Sequence, residues 1–408
     1  MRKNKFSNRL KSVIDPVSQN LMAKVRVMRD EGIEIHDFAK QADPPEMAIK
    51  DAINELNMPK GSLYSDTRGA IKLRKAIAKR CFLNNGLEIN PETDIVVTVG
   101  AKEAILSTLL ALVDIGDEVI VEDPGYISFE PLIRLVGGVP VRIPLDKKNG
   151  FKFPVETFER KITKKTSLLL LCNPHNPTGR CLSTEELSKI SEISIATGIY
   201  VLVDEAYEHF VYDDKTHISL ASFPGMYSRT VTVQTISKIF NMGGWRIGWA
   251  YGSYEIVEKM LLAHTHVVTC PATFAQAGAA VVIENNIGEG NKPIKAIVER
   301  YQLQRDFIVN QLQSMLGVKF HNPAGTFFVF PNISSFGQSS GELSEYLLEE
   351  ARVSSVPGDA FGPNGDGYLR MVFKSDIASI KKGMEAMSKA LEKLAIMPKI
   401  AVSETDSK

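Results

Sequence analysis

Lys238 and Arg246 are the two residues whose types and spacing point most directly to chemistry in this 408-residue chain. They share a segment rich in small residues, with Ser237 before the lysine and Gly243, Gly244 and Gly248 around the arginine. The segment follows residues 231–234, a short β-branched run with the composition of a strand. A lysine at the end of a buried strand must pair its charge or lower its pKa. An amine desolvated in this way is a nucleophile toward carbonyl carbon, the chemistry of Schiff-base formation. The planar fork of the arginine suits an oxyanion such as phosphate. Taken alone, the pair also fits the commoner roles of a snorkelling surface lysine and a packing arginine.

Other residues of complementary chemistry recur at the same kind of place. The candidate strand 95–99 runs into Gly100-Ala101-Lys102 at a helix start, where free backbone N–H groups and the helix dipole favour an anion. Residues 118–122 precede Pro124-Gly125-Tyr126. Residues 167–172 run into Asn173-Pro-His-Asn176-Pro-Thr-Gly179, and residues 200–203 into Asp204-Glu-Ala-Tyr207. These continuous apolar runs are the pattern of strands buried on both faces of a parallel sheet. Ligands of such sheets gather at the carboxyl ends of the strands, which is where all these residues fall.

Pyridoxal phosphate is a ligand that such a set can serve. Lys238 offers the amine; Gly100, Ala101, Lys102, Ser237 and Arg246 offer donors to a phosphate. Asp204 can keep a pyridine nitrogen protonated, so that the ring acts as an electron sink. Asn176 and Tyr207 can meet the ring oxygen, and Tyr126 can stack on the ring face. Each residue also has a plainer reading: two turns for the Asn-Pro repeats, a helix cap for Asp204, core packing for Tyr126. The joint occurrence at strand ends favours the site.

Composition narrows the class. Lys+Arg and Asp+Glu are 48 each, for a formal net charge of zero, which argues against nucleic-acid and anionic-membrane partners. Cys81, Cys172, Cys181 and Cys270 show no metal-binding spacing, so free thiols, no metal and a cytoplasmic setting are expected. The basic start has no apolar run behind it and is not read as a signal peptide, and no run is long enough to span a membrane. The length asks for more than one core. Helical periodicity is expected over 17–30, 46–56, 70–81 and 293–315, with Ile49 and Ile53 among the apolar positions of the second and Ile71 inward on the third, and residues 33–38 alternate like a short strand. Beyond 315, short strands (327–330, 369–373) alternate with helices (341–351, 377–394), the pattern of a small α+β unit.

Over residues 17–395 the chain resembles the class I/II aminotransferases of the pyridoxal-phosphate fold-type I superfamily. The motifs that carry the resemblance are Tyr64 with Gly69 and Leu73-Arg74, Gly100-Ala101-Lys102, Pro124-Gly125-Tyr126, Asn173 to Gly179, Asp204 to Tyr207, Ser237-Lys238 with Arg246 and Gly248, Pro357-Gly358 with Phe361-Gly362, and Arg370. The resemblance implies an α/β fold: a large domain with a mostly parallel seven-stranded sheet covered by helices, and a small α+β domain formed by both termini. The boundaries expected are 1–45 for an N-terminal arm and part of the small domain, 46–292 for the large cofactor-binding domain, 293–396 for the small domain and 397–408 for a disordered tail. It implies Lys238 as Schiff-base lysine and proton shuttle, Asp204 on the ring nitrogen, Asn176 and Tyr207 on the ring oxygen, and Tyr126 on the ring face. Ala101, Lys102, Ser237 and Arg246 would hold the phosphate, and Arg370 the substrate α-carboxylate. Tyr64 would reach the cofactor of the other subunit in a homodimer.

The segment from Phe38 to Pro45 departs from the family pattern, lacking a glycine and carrying Lys40 where substrate would lie. The expected activity is amino transfer between an L-amino acid (aspartate, glutamate or an aromatic one) and a 2-oxo acid, with Lys102 and Lys40 as candidate contacts to the substrate. The alternative is a lyase, cyclase or oxidase using the same cofactor. A transcription regulator on this fold is disfavoured, because it would need an added DNA-binding domain.

Overall fold

The computed structural model describes residues 10–11, 13, 17–39, 42–59 and 61–396. The expected tail after 396, most of the N-terminal arm and Lys40 lie outside the described residues.

Seven strands form the large sheet: β1 (Ile95–Thr98), β2 (Glu118–Asp123), β3 (Val139–Pro144), β4 (Thr166–Cys172), β5 (Tyr200–Asp204), β6 (Thr230–Thr235) and β7 (Gly248–Tyr251). Across the sheet they run β1-β7-β6-β5-β4-β2-β3. The five strands from β3 to β6 are parallel, and β7 is antiparallel to both its neighbours. The continuous apolar runs follow from burial of both faces. Leu168 and Leu170 join a core with Ala104, Ile105 and Leu109 of the helix Ala101–Leu112. Leu169 and Leu171 point the other way, toward Leu187 and Ile190 of the helix Thr184–Thr197. This is the two-residue period of a strand, with apolar residues on both sides because both sides are covered.

Register brings the chemistry-bearing loops together. Thr98 of β1 and Thr235 of β6 both pair with Gly248, which starts β7. Gly100, Ser237 and Arg246 therefore leave the sheet at one rim. Cys172 pairs with Asp204, and Asp204 with Val233. The Asn173–Gly179 loop, Asp204 and the Lys238 turn are thus neighbours by construction.

A second, antiparallel sheet has the order β8-β10-β9, from β8 (Phe328–Val329), β9 (Val356–Pro357) and β10 (Leu369–Val372). Helices Lys292–Gln313, Ser340–Ala351 and Ile377–Ile396 accompany it. The middle one starts on a capping box between Ser339 and Glu342. The N-terminal helix Val17–Asp30 docks here: Val25 and Met28 pack with Leu348, and Lys24 pairs with Glu345 at 2.6 Å and Glu349 at 3.0 Å.

Some expectations are corrected. Residues 33–38 make a single bridge, His36 to Val353, rather than a strand. Phe38 turns out of the extended region (φ 51°) and is buried where a side chain on Gly383 would lie. The strand 327–330 shrinks to Phe328–Val329, and the Phe327 ring packs in an aromatic cluster with Tyr207, Phe210 and Phe328. Ile49, Ile53 and Ile71 are 40%, 52% and 38% exposed. The apolar stripe of these helices is wider than the core of this chain covers. Among the described residues no helix is long and apolar enough to cross a membrane, and the four cysteines are free.

Candidate active site

The rim where β1, β6 and β7 meet is built by glycines. Gly100 caps the helix Ala101–Leu112 at φ 75° and contributes no side-chain cap, which leaves the first N–H groups of the helix open. A Cβ on Gly100 would collide with the Arg246 guanidinium, and one on Gly248 with the Ala101 backbone nitrogen. Only glycine lets the arginine and the helix start approach one another. Arg246 sits at φ 55°, a left-handed backbone conformation that non-glycine residues seldom adopt and that clusters at functional sites. Its guanidinium is held by the Gly243 carbonyl at 2.9 Å and the Val99 carbonyl at 3.3 Å. Ser237 Oγ lies 2.7 Å from Thr235 Oγ1, whose own hydroxyl bonds the Ile247 carbonyl at 2.7 Å.

Lys238 points from this rim over the Tyr207 ring, its Nζ 5.6 Å from the centroid. Burial holds its amine below the ordinary lysine range; Asp204 opposes that shift, and Arg370 and Arg246 reinforce it. Asp204 accepts a 3.0 Å bond from the Ala206 N–H, and burial pushes its carboxyl up to about 6. The bond closes an Asx turn, so the helix-cap reading of Asp204 does not hold. Asn176 donates to Tyr207 Oη at 3.5 Å and accepts from Arg370 Nη1 at 3.1 Å. Arg370 lies between the Phe328 and Phe361 rings, 4.5 and 4.9 Å from their centroids, and its buried Nε has no partner. Tyr126 packs edge-on to Phe129 at 5.3 Å, and the charges of Asp204 and Arg370 both reach its hydroxyl. A cavity of about 790 Å³ opens beside Tyr126, lined by Lys102, Ile127, Phe129, Arg142 and Phe361 among others.

The structure thus brings together Gly100, Ala101, Lys102, Tyr126, Asn176, Asp204, Tyr207, Ser237, Lys238, Arg246 and Arg370. Tyr64 is not among them: it stands 85% exposed on another part of the surface. Sequence reading missed Lys374, whose amine reaches into the same crevice, and the buried ion pairs beneath the Asn173–Gly179 loop. The lysine's spacing from Arg370 was visible, but its depth was not.

A parallel sheet carrying an amine, an acid and an arginine at its carboxyl edge, with a second arginine on the antiparallel sheet, forms the kind of crevice in which α/β proteins bind ligands. Residues 33–387 match the family model for aminotransferase class I and II. The chain is 37% identical over 328 residues to an aspartate aminotransferase of Pyrococcus abyssi, covering 80% of this chain and 84% of that protein. It is 35% identical over 329 residues to aromatic-amino-acid aminotransferase 2 of Thermococcus litoralis, with 81% and 84% covered. The solved structure of the Thermus thermophilus aspartate aminotransferase with maleate superposes with a TM-score of 0.89 at 30% identity, covering 95% of this chain and 100% of the other. The chain belongs to the class I and II aminotransferases and is a transferase of nitrogenous groups. The substrates of this family are amino acids and 2-oxo acids, and its cofactor is pyridoxal phosphate.

Proposed function

We propose that this enzyme moves an amino group between an L-amino acid and a 2-oxo acid on pyridoxal phosphate bound at Lys238. One observation carries the reading. Lys238 lies near a buried Asp204, and the charges of Arg370 and Arg246 reach Lys238, yet among the described residues none of the three has a carboxylate within ion-pair distance. Cations left without acids in one pocket suit a ligand that brings its own anions, here a phosphate and an α-carboxylate. The glycine cradle at Gly100 and Gly248 and the unpartnered Arg370 Nε fit the same groups.

In this reading the Ala101 and Lys102 N–H groups, Ser237 Oγ and Arg246 hold the phosphate. Asp204 keeps a proton on the ring nitrogen, Asn176 and Tyr207 meet the ring oxygen, and Tyr126 covers one face. The Arg370 fork takes the substrate carboxylate, which orients the Cα–H bond toward Lys238. When bound, the cofactor supplies an electron sink for the pair released at Cα. Lys238 Nζ, whose pKa burial holds below the ordinary lysine range, takes the Cα proton and returns it on the other side of the transfer. The aromatic wall of the cavity, with Lys102 at its edge, suits aromatic and acidic side chains, the two substrate types named in the P. abyssi and T. litoralis relatives.

The reading extends to assembly. Tyr64, Leu63, Met58 and Ile53 are each more than half exposed, apolar surface that a second copy would cover, which would carry Tyr64 to the partner's phosphate. Residues 46–292 form the large domain and 293–396, with the N-terminal helix, the small one.

The test is a half-reaction. Holoenzyme mixed with single amino acids should lose the absorbance of the lysine-bound cofactor, gain that of the amine form, and release one 2-oxo acid per site. Lys238→Ala should lose both the covalent absorbance and turnover, by about 10⁴-fold or more. Ammonia released from one substrate without an oxo-acid acceptor would sink the transfer reading.

A further inference from the structure

Asp204 and Tyr207 carry crevice chemistry, and the residue after each of them is an acid that the reaction as described does not use. Glu205 and Glu208 are both buried, at 1% and 8% exposure. Backbone bonds fix them: the Glu205 N–H donates to the Val233 carbonyl of β6 at 2.8 Å, and the Glu208 N–H donates to the Glu205 carbonyl at 3.1 Å. Gln234, the next residue of β6, donates from Nε2 to Glu205 Oε2 at 3.2 Å and to Glu208 Oε2 at 2.9 Å. Arg80 completes the network by pairing with Glu208 and donating to Gln234 Oε1 at 2.8 Å.

The other oxygen of Glu205 is held differently. Oε1 is buried and has no hydrogen-bond partner among the described residues, and neither has His217 Nε2, which lies 3.3 Å from it. A carboxylate this deep keeps its charge only beside a cation, and the imidazole of His217 stands where that cation is needed. We propose that Glu205 is a positioning residue for Asp204: tied down by Gln234 and faced by His217, its buried negative charge keeps in place the proton that Asp204 shares with the ring nitrogen of the cofactor. The inference rests on Asp204 meeting that nitrogen.

The groups that bear on Asp204 form a short set. Burial pushes its carboxyl up to about 6, the Ala206 N–H and Lys238 oppose that shift, and the charge of Glu205 adds to it. Glu208 belongs to the same network yet is not among the groups acting on Asp204. The charge of Asp204 in turn reaches Cys172 of β4, Tyr126 and Tyr207. Around Glu205 the titratable neighbours are His217, Glu208, Cys81 and Tyr251. A carboxylate favours protonation of whatever titrates beside it, whether a second carboxyl or a ring nitrogen bonded to that carboxyl. Without the Glu205 charge the shared proton therefore leaves at lower pH, and the ring is a poorer electron sink once it has gone.

The experiment observes that proton. Holoenzyme is prepared with pyridoxal phosphate isotope-labelled at the ring nitrogen, and the nitrogen NMR shift is followed against pH. Glu205→Gln keeps the volume and an acceptor for Gln234 but loses the charge, and should lower the pH at which the ring nitrogen deprotonates by about one unit. Glu205→Asp, which keeps the charge, should restore most of that difference. Glu208→Gln removes a charge of the same network that does not act on Asp204, and should leave the midpoint where it is in the wild type. A midpoint unmoved or raised in Glu205→Gln overturns the inference, and a ring still protonated at the highest pH the fold tolerates counts as unmoved. A shift as large in Glu208→Gln overturns it too, because loosening the network would then explain both. Should Glu205→Gln not fold or not hold cofactor, His217→Gln decides: losing the cation beside Glu205 should raise the midpoint, and a midpoint that stays or falls refutes the proposal. Wild-type holoenzyme with an unprotonated ring nitrogen at neutral pH would instead refute the placement of Asp204.

Discussion

Two sets of charged side chains are organised in opposite ways. Beneath the Asn173–Gly179 loop, Arg180 pairs with Glu122 and lies 4.0 Å from Glu186, and His175 is 3.5 Å from Glu122. Behind Asp204, Arg80 pairs with Glu208, and Gln234 bridges Glu208 and Glu205 at 2.9 and 3.2 Å. In both places each arginine has its carboxylate. At the mouth of the sheet, Lys238, Arg246, Arg370 and Lys374 have none among the described residues. Paired charges hold loops in place, and they leave no valence for a ligand. Unpaired ones destabilise the empty protein and are satisfied only when substrate and cofactor bring anions.

The contrast breaks most visibly in the paired group. Arg180→Met leaves Glu122 buried without its cation, and should lower stability by about 3–5 kcal/mol. The pH dependence gives a second signature. Burial already pushes the Glu122 carboxyl up to about 7, with Arg180 opposing that shift. A carboxyl whose folded pKa lies above its unfolded value near 4.3 favours the fold in its protonated form. Its contribution falls as pH rises through that window, and without Arg180 the fall continues to higher pH. The deficit of Arg180→Met in denaturant titrations should therefore be small at pH 5 and largest above pH 7. A deficit independent of pH would show that the arginine acts by packing alone.

In the unpaired group the same kind of change should spare stability and strike binding. Arg370→Lys keeps the charge but loses the fork that can grip a carboxylate with two parallel bonds and hold Asn176 besides. We expect kcat/KM to fall by about 100-fold, near 2.7 kcal/mol, with little change in melting temperature. Equal loss for substrates with and without an α-carboxylate would remove Arg370 from the substrate clamp.

What could be read from the residues follows the same division. The unpaired group was legible because its members fall at strand ends and next to glycines, where local pattern is a direct guide. Lys238, Asp204 and the Gly100 helix start needed only the strand-loop-helix rhythm to be placed. The paired group was not legible: Arg80 is a basic residue on a helix, and nothing local says that it turns inward to meet Glu208, which is 128 residues away. Lys374 was missed for the same reason, since its partner Asn241 lies 133 residues away, in the turn after β6. The exposed Ile49, Ile53 and Tyr64 show a third limit. Periodicity finds an apolar face, but whether the chain's own core or another molecule covers it is a tertiary fact.

The smallest effect sharpens the comparison most, because its sign is opposite. Partial burial beside the charges of Lys238 and Arg300 means that the fold bears the Lys374 charge at a loss in stability. Its amine is brought down to about 8, below the value of about 10.4 expected in the unfolded chain. Below pH 8 both states carry the proton, and the folded one holds it in a poorer place. Between pH 8 and about 10.4 the folded state sheds the proton first, so stability rises through that window. Lys374→Met removes the penalty. It should therefore stabilise the cofactor-free protein at pH 7 by about 2 kcal/mol, allowing for residual solvent screening, and the gain should shrink toward pH 10. Arg180→Met and Lys374→Met both delete a cation withdrawn from bulk water, yet one should weaken the fold and the other strengthen it. Were both to weaken it at pH 7, the division into charges that hold the structure and charges that await a ligand would not stand.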